Sequence, residues 1–262
     1  NVIFPSTIKR IGTGSFQGHG DGIDSNLSGV YLSGNLDLSH MKNLEYIDYF
    51  AFADNNITSI KFPNNIKKIG SYSFSGNRIT GELDLSNTKL QRIDSYSFSG
   101  SNITNIKLPI TVNSIGYTSF AGNAIKELDL TSNTNLTIIE EDAFADNNIT
   151  NIKLPKSITY IKMMAFFNNN ISGELDLSLN ENLNTIGENA FKNNDIESII
   201  LPSNIEIIDK NSFIKNNESN INLKTIINLS EKKFNWYNIL GREGEEILDY
   251  GNVDDVEIKK EP

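Results

Sequence analysis

The side chains that most often carry out enzyme chemistry are scarce in this chain. Cysteine is absent, and histidine occurs only at His19 and His40. Thiolate metal sites, disulfides and cysteine nucleophiles are therefore excluded, and a histidine-based triad is nearly out of reach. Adjacent acids such as Glu140 and Glu141 do not identify a cleft that holds an acid opposite a base. The sequence predicts a protein that is not an enzyme and that needs no cofactor.

Two glycine-rich segments resemble binding loops without completing the motif. Residues 12–18 read Gly-Thr-Gly-Ser-Phe-Gln-Gly, but they lack the Gly-Lys-Ser/Thr ending and the following helix that a phosphate loop requires. An insertion near residues 17–31 contains Asp21, Asp24 and Asn26, whose side-chain oxygens are of the kind that binds Ca²⁺. Their spacing matches no calcium-loop template, and Gly with Asp is common in surface loops. We predict a surface loop, with a calcium site as the alternative.

Charge and hydropathy exclude further classes of function. The 262-residue chain has 23 Lys plus Arg against 33 Asp plus Glu, which gives a formal net charge of −10. Nucleic acids require a basic surface to displace phosphate counterions, and this balance is acidic. No apolar run approaches the roughly 18 to 20 residues of a membrane helix. We therefore expect no nucleic-acid partner and no membrane span.

A repeated phenylalanine sets the organisation of the chain. After a first gap of 36 residues, which contains the insertion, successive copies are 22, 24 or 25 residues apart. In seven consecutive copies an Ile follows the Phe by five residues, and an Asn usually follows by three, with Ser101 as the exception. Recurrence in phase predicts a solenoid. The copies are Phe16, Phe52, Phe74, Phe98, Phe120, Phe144, Phe166, Phe191 and Phe213.

Each repeat contains one short apolar alternation, and the repeats come in two types. The shorter type has Ile106 and Leu108 on either side of one polar residue, and the longer type has Leu83 and Leu85, which is typical of a half-buried strand. Stacking predicts one short parallel strand per repeat of 22–25 residues, with equivalent residues about 4.8 Å apart. Ile and Leu then fill the interior, and the Phe column closes it from the opposite side. The Asn amides pair with backbone groups of buried turns.

Two outward rows of polar residues cross the predicted sheet. Alternating charges in one row stabilise each other by roughly a few tenths of a kcal/mol per exposed pair, so the pattern fits a self-neutralising ladder. The alternative is a mildly acidic binding face for a basic or hydroxyl-rich partner such as a peptide, glycan or wall polymer. The alternating row is Asp37, Lys61, Asp84, Lys107, Asp129, Lys153 and Asp176. The acids of the neighbouring row are Glu82, Glu127 and Glu174.

The repeat resembles that of a known family. Residues 103–123 read Ile-x-x-Ile-x-Leu-Pro-x-x-Val-x-x-Ile-Gly-x-x-x-Phe-x-x-Asn, and Ala-Phe-x-x-Asn recurs at 51–55, 143–147 and 190–194. These motifs resemble the BspA-like class of bacterial leucine-rich repeats over about residues 1–230, although that family often has Cys where this chain has Asn. The resemblance implies a right-handed leucine-rich-repeat solenoid of the α/β horseshoe class, rich in β structure and with a mostly irregular convex side.

The two ends of the chain depart from the repeat. We expect residues 1–230 to form the solenoid and residues 231–262 to cap it, because a terminal repeat needs a cover. Residue 1 aligns inside a strand, so we expect the first unit to be truncated and an export signal to lie outside the chain. Trp236, the single Trp, is interpreted as a core anchor of the cap, with an exposed ligand platform as the alternative.

The family resemblance also bears on function. It implies a surface-exposed or secreted bacterial protein, and several members of the class are adhesins. We therefore expect a non-enzymatic recognition module, extracellular or on the cell surface, that acts as a monomer and binds a protein or glycan on a host or neighbouring cell. The resemblance supplies no binding residues, so the ten charged residues of the two rows are the candidates. A passive spacer domain of a larger surface protein is the alternative.

Overall fold

The repeats fold into coils that stack by parallel pairing of short strands. The computed structural model describes residues 4–18, 31–214, 223–241, 251–253 and 256–260. The chain forms two units, one of residues 1–125 and one of residues 126–262. The expected boundary between a solenoid and a cap at residue 230 stays a prediction.

The first unit pairs its strands in two columns. The longer strands are β2 (Ser33–Asp37), β4 (Asn56–Lys61), β6 (Thr80–Asp84) and β8 (Asn102–Lys107). The two-residue strands are β1 (Arg10–Ile11), β3 (Tyr46–Ile47), β5 (Lys68–Ile69), β7 (Arg92–Ile93) and β9 (Ser114–Ile115). The longer strands pair in parallel as β2–β4 and β6–β8, and the short ones as β1–β3–β5 and β7–β9.

The second unit repeats this arrangement. Its longer strands are β10 (Glu127–Asp129), β12 (Asn151–Lys153), β14 (Ser172–Asp176), β16 (Asp195–Leu201) and β18 (Thr225–Asn228). Its two-residue strands are β11 (Ile138–Ile139), β13 (Tyr160–Ile161), β15 (Thr185–Ile186) and β17 (Ile207–Ile208). The last described elements are α1 (Trp236–Ile239), β19 (Gly251–Val253) and β20 (Val256–Lys259).

The predicted β-rich solenoid of parallel strands is confirmed in each unit, and the structure adds a second strand to each turn. The sequence predicts one strand per repeat, whereas the two-residue strands form a separate parallel column. Two residues are too few to show an alternating pattern, so this column leaves no signal in the sequence. The right-handed sense of the coil stays a prediction.

The two repeat types differ by a β-bulge in the longer strands. In the pairing of β6 with β8 the register shifts between Gly81 and Glu82, so that Thr104 is an extra residue on β8. Gly81 has a φ of +74°, a backbone conformation that glycine adopts without the steric cost of a Cβ atom. The same shift follows Gly34 and Gly173. The bulge therefore sets the register of the outward residue that follows each of these glycines.

The phenylalanine column is a file of stacked rings in each unit. In the first unit the centroids of Phe52 and Phe74 are 5.2 Å apart and those of Phe74 and Phe98 are 5.6 Å apart, with nearly parallel planes. In the second unit the rings of Phe144 and Phe166 stack at 5.6 Å. Offset stacking adds to the burial of these large apolar groups, so the column holds successive turns together.

The asparagine column bonds each turn to the one before it. Asn77 donates from Nδ2 to the carbonyl of Phe52 at 2.9 Å and to that of Phe74 at 3.1 Å, and its Oδ1 accepts from the amide of Ile57 at 3.1 Å. Asn123 makes the equivalent three bonds one repeat pair later. The predicted structural role of these amides is therefore confirmed.

Ser101 stands where this column would have an asparagine. Its hydroxyl is buried and has no hydrogen-bond partner in the described part of the chain. Serine is too short to reach two carbonyls and an amide at once, so this turn lacks the bridge that Asn77 and Asn123 supply. The position is a gap in an otherwise regular column.

The last described strands of the second unit extend the sheet that contains β18. β20 pairs in parallel with β18, and β19 runs antiparallel to β20. Trp236, the first residue of α1, has no exposed surface, and its ring lies 5.3 Å from that of Phe234. The interpretation of Trp236 as a core anchor is confirmed, and the alternative of an exposed ligand platform is wrong.

Exchanging asparagine and serine at two positions of the asparagine column should have opposite effects on stability. Asn77→Ser removes a buried bridge and should lower the free energy of unfolding by about 1–3 kcal/mol. Ser101→Asn supplies the missing bridge and should raise it by about 0.5–1.5 kcal/mol. Denaturant unfolding followed by circular dichroism measures both. A loss of stability in both variants would contradict the bridging role.

Candidate functional site

The structure brings the ten charged candidates onto one face within each unit. All ten are exposed, and each lies on a longer strand. In the alternating row the partners in register are Asp37 with Lys61, Asp84 with Lys107, Asp129 with Lys153, and Asp176 with Ile200. In the neighbouring row they are Glu82 with Asn105, Glu127 with Asn151, and Glu174 with Ser198. The predicted order of both rows is therefore confirmed within each pair of strands.

The aspartates of the alternating row are bound by their own turns. Oδ1 of Asp84 accepts from the amide of Ser86 at 2.9 Å and from its hydroxyl at 2.6 Å. The same pair of bonds joins Asp37 to Ser39 and Asp129 to Thr131. This Asx-turn ends the strands that carry these aspartates by giving an amide of the turn a side-chain acceptor instead of a strand partner.

These hydrogen bonds lower the pKa of three aspartates in the row. The Ser86 hydroxyl, together with the Ser86 amide, holds the pKa of Asp84 below its ordinary value. The hydroxyl and amide of Ser39 lower the pKa of Asp37 in the same way, and those of Thr131 lower the pKa of Asp129. The ionised form accepts these bonds best, so the turns favour a charged face.

The expected ladder of Asp–Lys ion pairs is only partly formed. Lys153 lies 3.8 Å from Oδ2 of Asp129, as the alternation predicts. Lys107, however, binds Oε1 of Glu82 at 2.9 Å, and this bond raises the pKa of the lysine. The longer glutamate reaches Lys107 diagonally across the sheet. The two rows therefore interact with each other as well as along their own length.

Glu82 is the clearest example of a fixed outward side chain. One carboxylate oxygen binds Lys107, and the other accepts from Nδ2 of Asn105 at 3.0 Å. Ser59 makes a simpler cross-strand bond to Asn35 at 2.9 Å. Two partners on the next strand hold the Glu82 carboxylate in place, so a ligand would meet a pre-oriented acid.

The interactions available on this face are charge pairing and hydrogen bonding. Seven acids and three lysines leave it acidic, and the side chains are exposed rather than enclosed in a cleft. Within the described ranges, no group of three or more acid or histidine side chains is arranged to hold a metal ion. The candidate calcium ligands Asp21, Asp24 and Asn26 lie outside those ranges.

The turn hydroxyls are contributors that the sequence reasoning missed. The hydroxyls of Ser39, Ser86 and Thr131 each bond to the row aspartate two residues before, and the amide of Ser178 bonds to Asp176. The signal was present as Asp-x-Ser or Asp-x-Thr at the end of the strand in each longer repeat, which is the sequence pattern of an Asx-turn.

Comparison with family models gives an extended match. Residues 31–146 and 137–240 match a family described as the BspA type leucine rich repeat region, in six copies. No curated protein sequence matches the chain. Among the described residues, no helix has the length and the apolar content needed to cross a membrane.

Two solved structures share the fold. A leucine-rich repeat protein from Bacteroides ovatus is 19% identical, with a TM-score of 0.57, over 86% of this chain and 54% of that chain. The pneumococcal vaccine antigen PcpA is 15% identical, with a TM-score of 0.50, over 86% of this chain and 74% of that one. This chain thus spans about half the length of the Bacteroides protein.

The Asx-turns predict a change in acid stability. The three aspartates have a lower pKa in the folded state, so their stabilisation is present above the unfolded value of 3.8 and is lost as the pH falls through the folded value. The triple variant Asp37→Asn/Asp84→Asn/Asp129→Asn keeps the acceptor oxygen but cannot titrate. We expect the Tm of this variant to fall by about 2–4 °C less than the Tm of the parent protein between pH 6 and pH 2.5. The difference is small because exposed groups are screened by solvent.

The matched control is Asp209→Asn, at an exposed position outside the rows. It should follow the parent protein over the same pH range. Ser86→Ala removes the main donor to Asp84 and should shift the curve in the direction of the triple variant. Superimposable curves for the parent and the triple variant would show that the turns do not couple to protonation.

Proposed function

Because the chain belongs to the BspA type leucine-rich repeat family, we propose that it is a non-enzymatic recognition module of a bacterial surface or secreted protein. It binds a protein or glycan partner through the charged sheet face. The observation that carries this proposal is the set of exposed acids held in fixed register, with Glu82 bound to both Lys107 and Asn105.

The physical basis is a surface ordered before binding. Stacked rings and buried amides hold the turns, so the outward positions do not need to fold around a ligand. The entropy lost on association is then small for the face itself. The excess of acids over lysines favours a basic or hydroxyl-rich partner, such as a cationic peptide segment or a glycan.

The comparisons support a location outside the cell. PcpA is described as a vaccine antigen, and an antigen of that kind has to be accessible to antibodies. We assign the same accessibility to this chain. The identity of 15% supports the shared fold alone, so the proposed location rests on the family.

Residues 231–262 cap the last turn in this proposal. Two contacts support it, the burial of Trp236 and the pairing of β20 with β18. An antiparallel β19 then covers β20, and a covered edge is less able to pair with another chain. The chain is therefore expected to act as a monomer.

Charge reversal on the face tests the proposal. We expect Glu127→Arg/Glu174→Arg to weaken adhesion of microspheres carrying the protein at least about tenfold, which corresponds to roughly 1.4 kcal/mol of binding free energy. The surfaces to test are immobilised matrix proteins, mucin and bacterial wall glycan. Binding to each is measured as retained beads under flow.

The matched control makes the same change of charge away from the face. Glu181→Arg/Glu206→Arg alters two exposed acids that lie off the longer strands. This variant should adhere like the parent. Equal adhesion of both double variants, each with a parental Tm, would remove the sheet face as the binding surface and favour a spacer.

A further inference from the structure

A basic groove lies on a different surface of the first unit, along the column of two-residue strands. Its volume is about 400 Å³, and its wall includes Lys68 of β5 and Arg92 of β7. Lys67 also lines the groove, but its Nζ binds Oε2 of Glu45 at 2.9 Å, so Lys68 and Arg92 against Asp94 leave one positive charge. A local excess of positive charge on a chain with a net charge of −10 is a feature that the repeat does not explain.

The repeat itself does not require these cations. The residue paired with Arg92 on the next turn is Ser114. The equivalent positions in the second unit are Ile138, Tyr160 and Thr185. Neutral side chains therefore also serve in the short-strand column. Lys68 and Arg92 lie on consecutive turns of it, and Arg10, two turns before Lys68, is a further cation that pairs with Asp48.

The cations are arranged so that part of their charge remains available. Asp94, whose side chain is 12% exposed, binds Nε of Arg92 at 2.9 Å and lies 3.9 Å from Nζ of Lys68. The contact is made through Nε, and the Arg92 side chain is 62% exposed. Terminal guanidinium nitrogens that reach solvent match the two oxygens of a carboxylate.

Hydroxyl and amide groups line the same groove. Ser71 and Ser95 are half-buried and occupy the same position on consecutive turns, where the amides of Phe50 and Tyr72 bond to their carbonyls. Gln91 is exposed at the rim. Hydroxyl and amide groups both donate and accept, which is the combination that the hydroxyls of a sugar need.

An exposed aromatic ring stands beside these serines. Tyr49 occupies the position one turn before Ser71 and is 45% exposed. Its ring is held edge-on against Phe50 at 4.2 Å and Tyr72 at 5.6 Å. The rings of Tyr72 and Tyr96 in turn stack at 4.3 Å. A rigid, partly exposed ring is a surface on which the C–H face of a pyranose can pack.

We propose that this groove binds an acidic oligosaccharide. The carboxylate of one sugar lies on Arg92 and Lys68, the neighbouring hydroxyls bond to Ser71, Ser95 and Gln91, and a second sugar packs on Tyr49. From Tyr49 to the equivalent Tyr117 the column spans three turns of about 4.8 Å each, which accommodates a few sugar residues. The site goes beyond the proposed function, because it lies off the sheet face and takes ligands of opposite charge.

Calorimetric titration of the full chain with tri-galacturonic acid tests the proposal. We expect saturable binding at low salt that weakens as the salt concentration rises, because exposed charges are screened. Neutral maltotriose should bind at least tenfold more weakly. Lys68→Gln/Arg92→Gln and, separately, Tyr49→Ala should each reduce the affinity for tri-galacturonic acid at least tenfold at an unchanged Tm.

A control variant separates specific binding from net charge. Lys156→Gln/Lys232→Gln removes two exposed lysines elsewhere and should bind like the parent. Arg92→Lys keeps the charge but lacks the paired nitrogens of the guanidinium. It should show an intermediate loss of affinity for tri-galacturonic acid, which a merely structural Arg92 would not produce. If Lys68→Gln/Arg92→Gln fails to fold, the Tyr49→Ala and Arg92→Lys measurements decide.

Three outcomes would overturn the proposal. They are no binding of tri-galacturonic acid, equal binding of maltotriose, and parental affinity in the groove variants. Preference for a sulfated disaccharide over the carboxylated probe would reject the assignment of a carboxylate. None of these results changes the adhesion expected of the sheet-face variants, so a failure here is distinguishable from a failure of the proposed function.

Discussion

The structure depends on satisfying the backbone groups that stacking buries. Each turn on the phenylalanine side carries carbonyls that face the interior, where no water reaches them. In the first unit Asn55, Asn77 and Asn123 each donate to a carbonyl of their own turn and to one of the turn before. An unmet carbonyl in the interior costs about 1–3 kcal/mol, so each amide bridge stabilises the stacking of two turns. The turn that carries Ser101 lacks this bridge and still stacks through its phenylalanine ring.

Much of this architecture could be predicted, because in a stack one residue type repeats in one environment. The phase of the repeat alone predicts the Phe column, the Asn column and the pairing of Asp84 with Lys107. The phase of the repeat does not determine which of two neighbouring residues a side chain binds. Lys107 binds Glu82 rather than Asp84, its partner in register. Lys153, at the equivalent position, lies beside Asp129 instead. The two-residue strands were missed because they are shorter than any period, and the groove was missed because its residues come from several turns.

The first unit presents two surfaces with opposite charge preferences. The longer strands expose carboxylates whose pKa is lowered by turn hydroxyls, whereas the short strands expose Lys68 and Arg92 beside a single partly buried acid. Neither surface contributes the buried rings or amides that hold the coil. The side chains proposed for recognition are thus separated from those that hold the coil, and substitutions on either surface can be interpreted without large effects on folding.

The parallel pairing has a mechanical consequence. Hydrogen bonds between successive strands, such as those between β6 and β8, point along the stacking direction. Tension applied to the two ends of a unit loads them one after another rather than all at once. Coils would peel away singly, each releasing the 22 to 25 residues of one repeat as slack. A stack of this kind is therefore expected to lengthen in small steps under tension, and each step dissipates work.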